Sequence, residues 1–360
     1  MKRGLFINNK KAKDSIYESG FMVYHCLKLS DKYLLDYCEV DIDDLEIKTG
    51  YDFYFFNYHP VTMRWLDTGK LKKELGYVIT MILEMAPGDP FFMCPRNHFN
   101  FYCALDPTII SKQKSLYAFP RPLESINFPL PAEQNEIPVI GSFGFATKGK
   151  GFHHVVEAVN KEFEKAIVKI NIPYGDFVED SEQYAKFIGE LCKQKAKKGI
   201  DVQVTHDFMD KESLIRWCAA NTLNCFLYDR DLQGLAATTD QAISSGRPLS
   251  ISDNNTFRHI TAYLPPYPKC SLKDSIEKSG QIVNQMKEEW SPDQFVKKFE
   301  GLLFKNLPLT KIPKQGDYVL PLIKRSLKNS IQKQFKKVNV MFRKAMHKGI
   351  FKRKRRQDVI

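Results

Sequence analysis

Long apolar runs are missing from this 360-residue sequence, which is 43% hydrophobic and 27% charged. No stretch of about 18 apolar residues occurs, so we expect no membrane-spanning helix. The apolar run at residues 4–8 is too short for a signal peptide and predicts a first strand instead. Length and composition predict a soluble globular chain with enough residues for two hydrophobic cores.

Paired cysteines are also missing. The chain has eight cysteines and no C-x-x-C pair, which predicts reduced thiols in a cytosolic compartment. Cys94, His98 and Cys103 lie close in sequence, but a structural zinc site needs a fourth ligand. We therefore expect buried thiols and a loop histidine here, and no metal site.

Acidic residues are scarce at one end of the chain only. The net charge is +12, yet residues 318–360 hold 14 Lys and Arg and a single acid, Asp358. The rest of the chain, with 40 basic and 41 acidic residues, is close to neutral. The excess charge therefore belongs to a C-terminal segment, which we assign to a third region, residues 306–360.

This basic segment has the pattern of an amphipathic helix. Between residues 319 and 351 the apolar residues recur mostly at intervals of three and four, which places them on one helical face. They are Leu320, Ile323, Leu327, Ile331, Phe335, Val338, Phe342, Met346 and Ile350. Together with the run KRKRR at 352–356, the pattern favours an anionic membrane surface as the partner of residues 319–356. Docking of the helix on the folded body and binding of nucleic acid remain alternatives.

Apolar runs alternate with amphipathic stretches through the rest of the chain, which predicts α/β architecture with doubly wound parallel sheets. The interval 120–138 has five prolines and is typical of an interdomain linker. It divides an N-terminal domain, residues 1–130, from a C-terminal domain, residues 131–305. Arg121, between two of these prolines, is interpreted as a linker residue. The last helix of the second domain, beginning at Pro292, is predicted to cross back to the first.

The most informative segment spans residues 225–259 and reads CFLYDRDLQGLAATTDQAISSGRPLSISDNNTFRH. A short apolar run, a polar loop, a helix of small residues and a second apolar run follow one another. This unit places the N-terminus of the helix at the carboxyl edge of a parallel sheet, where backbone N–H groups and the helix dipole favour an anion. An ordinary αβ unit without a ligand is the alternative.

A second segment, residues 137–152, has the same character. It reads IPVIGSFGFATKGKGF and predicts a strand that runs into glycines and then into a helix. Glycines let the backbone approach a ligand closely, and Lys148 and Lys150 can neutralise phosphate. Taken together, the two segments predict a phosphate site at one sheet edge.

In these two segments the chain resembles the nucleotide-sugar half of group 4 retaining glycosyltransferases, which have the two-domain GT-B fold. Their donor segment is matched in spacing by Gln233-Gly234-Leu235-Ala236, by Gln241 and by Gly246-Arg247-Pro248, although two family glutamates are Gln here. Their Lys-Gly pair is matched by Lys150-Gly151, and the arginine that usually precedes it is missing. The resemblance implies transfer of a sugar from a nucleotide-sugar donor, with retention, and without a metal or another cofactor. The predicted donor-binding residues are Gly141, Phe143, Gly144, Lys148, Lys150, Asp229, Gln233, Gly234, Leu235, Ala236, Asp240 and Gln241.

Lys148 is the predicted substitute for the missing arginine, and Asp240 for one of the missing glutamates. In the N-terminal domain His59 and Glu84 follow predicted strands on the cleft side, and they are the candidate catalytic residues. The expected acceptor is a glycan or a lipid-linked sugar at the inner face of a membrane, with the enzyme peripheral and cytoplasmic. A GT-B scaffold that binds the donor without transfer, and a glycosyltransferase acting on nucleic acid, are the alternatives.

Overall fold

The computed structural model describes residues 1–10, 15–60, 62–83, 98–124, 126, 136–175, 180–230 and 234–308. Two parallel sheets organise this part of the chain, one in each half. None of its helices is both long and apolar enough to cross a membrane. Outside the described residues lie the candidates Glu84 and Gln233, residues 309–360 of the basic C-terminal region, and residues 91–94, whose apolar pattern predicts a strand.

The N-terminal sheet has six strands in the order β2-β1-β3-β4-β5-β6. Both faces of its inner strands are covered, so these strands are continuous apolar runs; every residue of β3 and β4 is buried. The strands are β1 (Lys2–Asn9), β2 (Tyr33–Val40), β3 (Phe53–Asn57), β4 (Val78–Ile82), β5 (Phe101–Ala104) and β6 (Leu116–Ala118), with helices α1 (Ser15–Leu27) and α2 (Leu71–Leu75).

The C-terminal sheet has five strands in the order β11-β10-β7-β8-β9, all parallel. Its strands are β7 (Val139–Phe143), β8 (Ala166–Asn171), β9 (Ile200–Thr205), β10 (Leu223–Phe226) and β11 (Leu249–Ile251). The helices are α3 (Phe152–Glu162), α4 (Ser181–Lys195), α5 (Lys211–Ala219), α6 (Thr238–Ser244), α7 (Arg258–Thr261), α8 (Leu272–Glu289) and α9 (Pro292–Asn306), with a 3₁₀ turn at Asn255–Phe257. The order reverses between β7 and β10, which makes their carboxyl ends a switch point where ligands bind.

The last helix, α9, begins in the C-terminal half and packs on the N-terminal sheet. Ser291 caps it by accepting a hydrogen bond from the Gln294 amide, and Pro292 occupies its first turn, as expected at a helix start. Phe299 then packs among aromatic rings in the core of the N-terminal domain. Its ring centre lies 5.4 Å from that of Phe55 and 6.0 Å from that of Phe101. The same sheet is thus covered by helices from both halves of the chain.

The sequence pattern and the structure differ at three elements. Strand β2 is not apparent from the sequence, because as an edge strand it is only partly buried and its apolar pattern is interrupted. The pattern of residues 63–75 predicts one helix, yet only Leu71–Leu75 is helical, because Leu66 forms an isolated bridge and Gly69 a turn before it. The run of small residues predicts that α6 begins at Ala236, whereas it begins at Thr238.

Candidate functional site

The glycine-rich loop between β7 and α3 lies at the carboxyl edge of the C-terminal sheet. Gly151 directly precedes α3 with φ +65°, and a Cβ there would lie 1.7 Å from the carbonyl oxygen of Leu227. Only glycine fits so close to the backbone of the neighbouring β10 segment. Gly151 therefore allows the loop to pack directly against the chain that follows β10, and the two predicted segments lie together.

Lys150 points into the junction of these segments. Its Nζ donates a hydrogen bond of 2.8 Å to the hydroxyl of Tyr228, which is itself 2.9 Å from Oγ1 of Thr238 at the start of α6. Lys150 Nζ also lies 3.3 Å from the position that a Cβ of Gly144 would take. We call Gly144, Lys150, Tyr228 and Thr238 the Lys150 cluster; it joins the ends of β7 and β10 to the N-terminus of α6, a setting suited to an anion.

A second cation lies against the same tyrosine. The guanidinium carbon of Arg230 is 5.5 Å from the centre of the Tyr228 ring, and Lys150 Nζ is 4.4 Å from it. Arg230 also donates a hydrogen bond of 3.2 Å from Nη1 to Oγ1 of Thr147 in the glycine-rich loop. Tyr228, Thr238 and Arg230 were not among the predicted site residues. Their only sequence signal is their position just after β10 and at the start of α6.

The predicted residue Asp229 turns towards α3. Its Oδ2 lies 3.1 Å from Nε2 of His154, whose Nδ1 lies 3.0 Å from Glu157. Burial lowers the pKa of the adjacent His153. His153, His154 and Asp229 offer ligand atoms within 4.8 Å of one another, so this trio could hold a divalent cation beside the loop. In the structure, His154 already contacts two carboxylates.

The predicted residue Asp240 is buried, and its carboxylate pairs with the linker. Nε of Arg121 donates to Asp240 Oδ2 at 2.5 Å, and Nη2 of the same arginine donates to the carbonyl of Ala236 at 3.1 Å. Burial raises the pKa of Asp240, while the neighbouring guanidinium acts in the opposite direction. Arg121, interpreted from sequence as a linker residue, thus also holds the start of α6.

A cleft lies between the two halves, and residues from both halves line it: Ile82, Leu83, Leu105, Asp106, Ile109, Arg121, Leu235 and Arg258. Arg258 from α7 spans it, with Nη2 2.6 Å and Nε 3.0 Å from Oδ2 of Asp106 after β5. Both side chains are largely buried. This two-point ion pair is a direct link between the halves. Beside it His259 is buried, which lowers its pKa well below the ordinary value.

The remaining residues predicted to bind the donor differ in how exposed they are. Gly234, Leu235 and Gln241 are half-buried around the start of α6, while Lys148 is exposed on the glycine-rich loop. The amide of Ala236, predicted to face phosphate, already donates to the carbonyl of Thr256 at 3.2 Å.

Two predicted residues of β7 and one of the catalytic candidates have their described contacts elsewhere than with the side chains of the Lys150 cluster. Gly141 lies inside β7 against Asn221, and the Phe143 ring packs in the core on Trp217 and Phe226. Any contact of these two with a ligand would come from the backbone. His59 follows β3 and is half-buried, and its carbonyl accepts from the amide of Met63. It is not among the residues that line the cleft.

No protein-family model and no curated protein sequence matches the chain. Solved structures do match its fold. HepE from Anabaena, in complex with UDP and glucose, has a TM-score of 0.57 at 9% identity, over 85% of this chain and 100% of that one. Sucrose-phosphate synthase from Thermosynechococcus elongatus reaches 0.58 at 10% identity, over 85% and 99%. A glycosyltransferase from Rickettsia africae reaches 0.60 at 9% identity, over 86% and 99%. The predicted fold is therefore confirmed: the chain has the GT-B architecture of two Rossmann-like domains facing a cleft.

Proposed function

We propose that this protein is a retaining glycosyltransferase that moves a sugar from a nucleoside-diphosphate sugar to an acceptor held by the N-terminal domain. One observation carries the proposal: the Nζ atom of Lys150 is held against the hydroxyl and the ring of Tyr228 at the switch point of the C-terminal sheet. This ammonium group has no carboxylate partner among the residues that the structure describes. A diphosphate is an anion that this arrangement suits.

In the proposed reaction an acceptor hydroxyl oxygen forms a bond to C1 of the donor sugar. The bond from C1 to the diphosphate oxygen breaks, and its electron pair stays on the diphosphate. The hydroxyl proton passes to a leaving-group oxygen or to water. Negative charge grows on the diphosphate as positive charge grows on the sugar, so fixed cations at the diphosphate stabilise the transition state more than the ground state. The side chain of Lys150 is the leading donor for this purpose.

The neighbouring structures guide the choice of the first donor to test, since HepE was solved with UDP-glucose. We expect the purified protein to be stabilised against heat by the correct nucleoside-diphosphate sugar, because a ligand that binds only the native state raises its melting temperature. UDP-, GDP- and ADP-sugars would be compared with CMP-sugars, which lack a diphosphate. Hydrolysis or transfer would be followed with and without EDTA, and we expect activity to persist without metal.

Three outcomes would change the proposal. If no diphosphate sugar stabilises the protein, the proposed donor site is wrong. If one stabilises it but no hydrolysis or transfer occurs with glycan or lipid-linked acceptors, the chain is a binding scaffold. Loss of activity in EDTA that Mn²⁺ restores would assign a metal, and the trio His153, His154 and Asp229 would then be the first place to look for it.

We also propose that residues 319–356 hold the protein on an anionic membrane surface at its cytoplasmic face, beside a lipid-linked acceptor. Each basic residue near such a surface adds about 1 kcal/mol of binding. In the full-length chain, replacing the five basic residues 352–356 by Gln should therefore sharply reduce co-sedimentation with phosphatidylserine vesicles, with little binding of either protein to phosphatidylcholine vesicles. Equal sedimentation of both proteins would end this proposal, and tight salt-sensitive binding to duplex DNA would favour the nucleic-acid alternative.

A further inference from the structure

We infer that Arg230 is a second diphosphate-binding residue, acting beside Lys150 in place of the arginine missing from the glycine-rich loop. The inference rests on the proposed function and deepens it, since it assigns the binding of the leaving diphosphate to two side chains, one from the loop after β7 and one from the loop after β10. Sequence spacing had pointed to Lys148 for this role. The structure instead leaves Lys148 exposed on its loop and half-buries Arg230 against the Lys150 cluster.

The backbone and stem of Arg230 are held in place before any ligand binds. The side-chain Nδ2 of Asn254 donates a hydrogen bond of 2.6 Å to the backbone carbonyl of Arg230. The Cβ and Cγ atoms of the arginine stand 2.4 Å and 3.0 Å from where a Cβ of Gly149 would be, so only a glycine in the loop leaves room for the stem. Positioning of this kind lowers the entropy cost of binding a ligand.

The guanidinium itself has unused hydrogen-bonding capacity. Nη1 donates to Thr147, while Nε is buried and has no hydrogen-bond partner among the residues that the structure describes. A buried donor without a partner is unfavourable, so a ligand oxygen that reached it would be stabilising. The neighbouring acid, Asp229, contacts His154 instead.

Two other arginines on this side of the molecule provide a contrast. Arg121 pairs with Asp240, and Arg258 pairs with Asp106, each through a largely buried contact. Their charges are already neutralised. Arg230 and Lys150 instead share one tyrosine ring, whose π face stabilises a cation only modestly. Two cations beside one ring repel each other, and an anion bound beside them would offset that repulsion.

The test measures binding of inorganic pyrophosphate, UDP and uridine by calorimetry in metal-free buffer, using the full-length protein. Replacement of Arg230 by Met removes the charge and keeps an unbranched stem that can pack on Gly149. Loss of one charged hydrogen-bond donor should weaken pyrophosphate and UDP binding by about 10- to 100-fold. Uridine binding should not change, because uridine has no phosphate. Arg230→Lys should recover part of the lost affinity, since lysine keeps the positive charge but lacks the planar guanidinium with its paired hydrogen-bond donors.

The matched control is Arg216→Met, which removes an arginine from the exposed end of α5 and should leave all three ligands unaffected. If Arg230→Met binds pyrophosphate and UDP as the wild type does, Arg230 is not a diphosphate ligand, although the proposed function stands. If it weakens uridine as much as UDP, its effect is structural and the inference is also wrong. If the wild type binds neither pyrophosphate nor any nucleoside diphosphate, the proposed function fails, and this inference with it.

Discussion

Replacement of Lys150 by Ala should lower the turnover number by about 10²–10³-fold, as the loss of one preorganised donor at a developing oxyanion does elsewhere. The ammonium group is held by the hydroxyl of Tyr228 at 2.8 Å and by the face of the same ring. The ammonium group would therefore move little as charge develops during the reaction. The variant should also bind the donor more weakly in the ground state, because the diphosphate of the donor is already charged. KM should therefore rise, but by a smaller factor than that by which the turnover number falls.

The measurement is steady-state kinetics with the donor identified by thermal shift, with the melting temperature of each variant as a check on folding. Lys161→Ala is a suitable control, because Lys161 is an exposed residue in the last turn of α3, the helix that follows the glycine-rich loop. It should turn over as the wild type does. Wild-type turnover by a folded Lys150→Ala protein would remove Lys150 from the site, and with it the main support for the proposed chemistry.

The place of Lys150 between β7 and α3 illustrates what the sequence could predict, because its signal was local. A strand, a run of glycines and a lysine followed within a few residues, and each constrains the next through backbone geometry. The long helices α8 and α9 were predictable for the same reason, since their caps, Ser271 and Ser291, stand directly before them. The doubly wound parallel sheets followed from the alternation of such local units around a proline-rich linker, whereas the GT-B fold was implied by the family resemblance of the two glycine-containing segments.

Arg230 and Asp240 illustrate what the sequence could not predict. Whether a charged residue beside a loop faces solvent or a ligand depends on which chain segment packs over it. For Arg230 that segment is the glycine-rich loop, about 80 residues earlier. For Asp240 it is the linker, whose Arg121 is 119 positions away. Asp240 has the right position for a substrate contact, yet a long-range partner already occupies its carboxylate.

Breaking the Arg121–Asp240 pair should have the largest effect on stability. Each side chain is only about a tenth exposed, 10% for Arg121 and 11% for Asp240, so removal of one leaves the other charge buried without a partner. Asp240→Leu or Arg121→Met alone should each lower the free energy of unfolding by about 3–5 kcal/mol. The carbonyl of Ala236 would also lose a donor in Arg121→Met.

The double variant Arg121→Met, Asp240→Leu should be considerably more stable than either single one, because it removes both charges and leaves apolar groups of similar volume. Urea unfolding followed by tryptophan fluorescence can measure this, since the carbonyl of Trp290 accepts from the amide of Leu123, two residues from Arg121. Additive losses in the double variant would mean that the two charges do not compensate each other. In that case the linker would not hold α6, and Thr238 of the Lys150 cluster would owe its position to the helix alone.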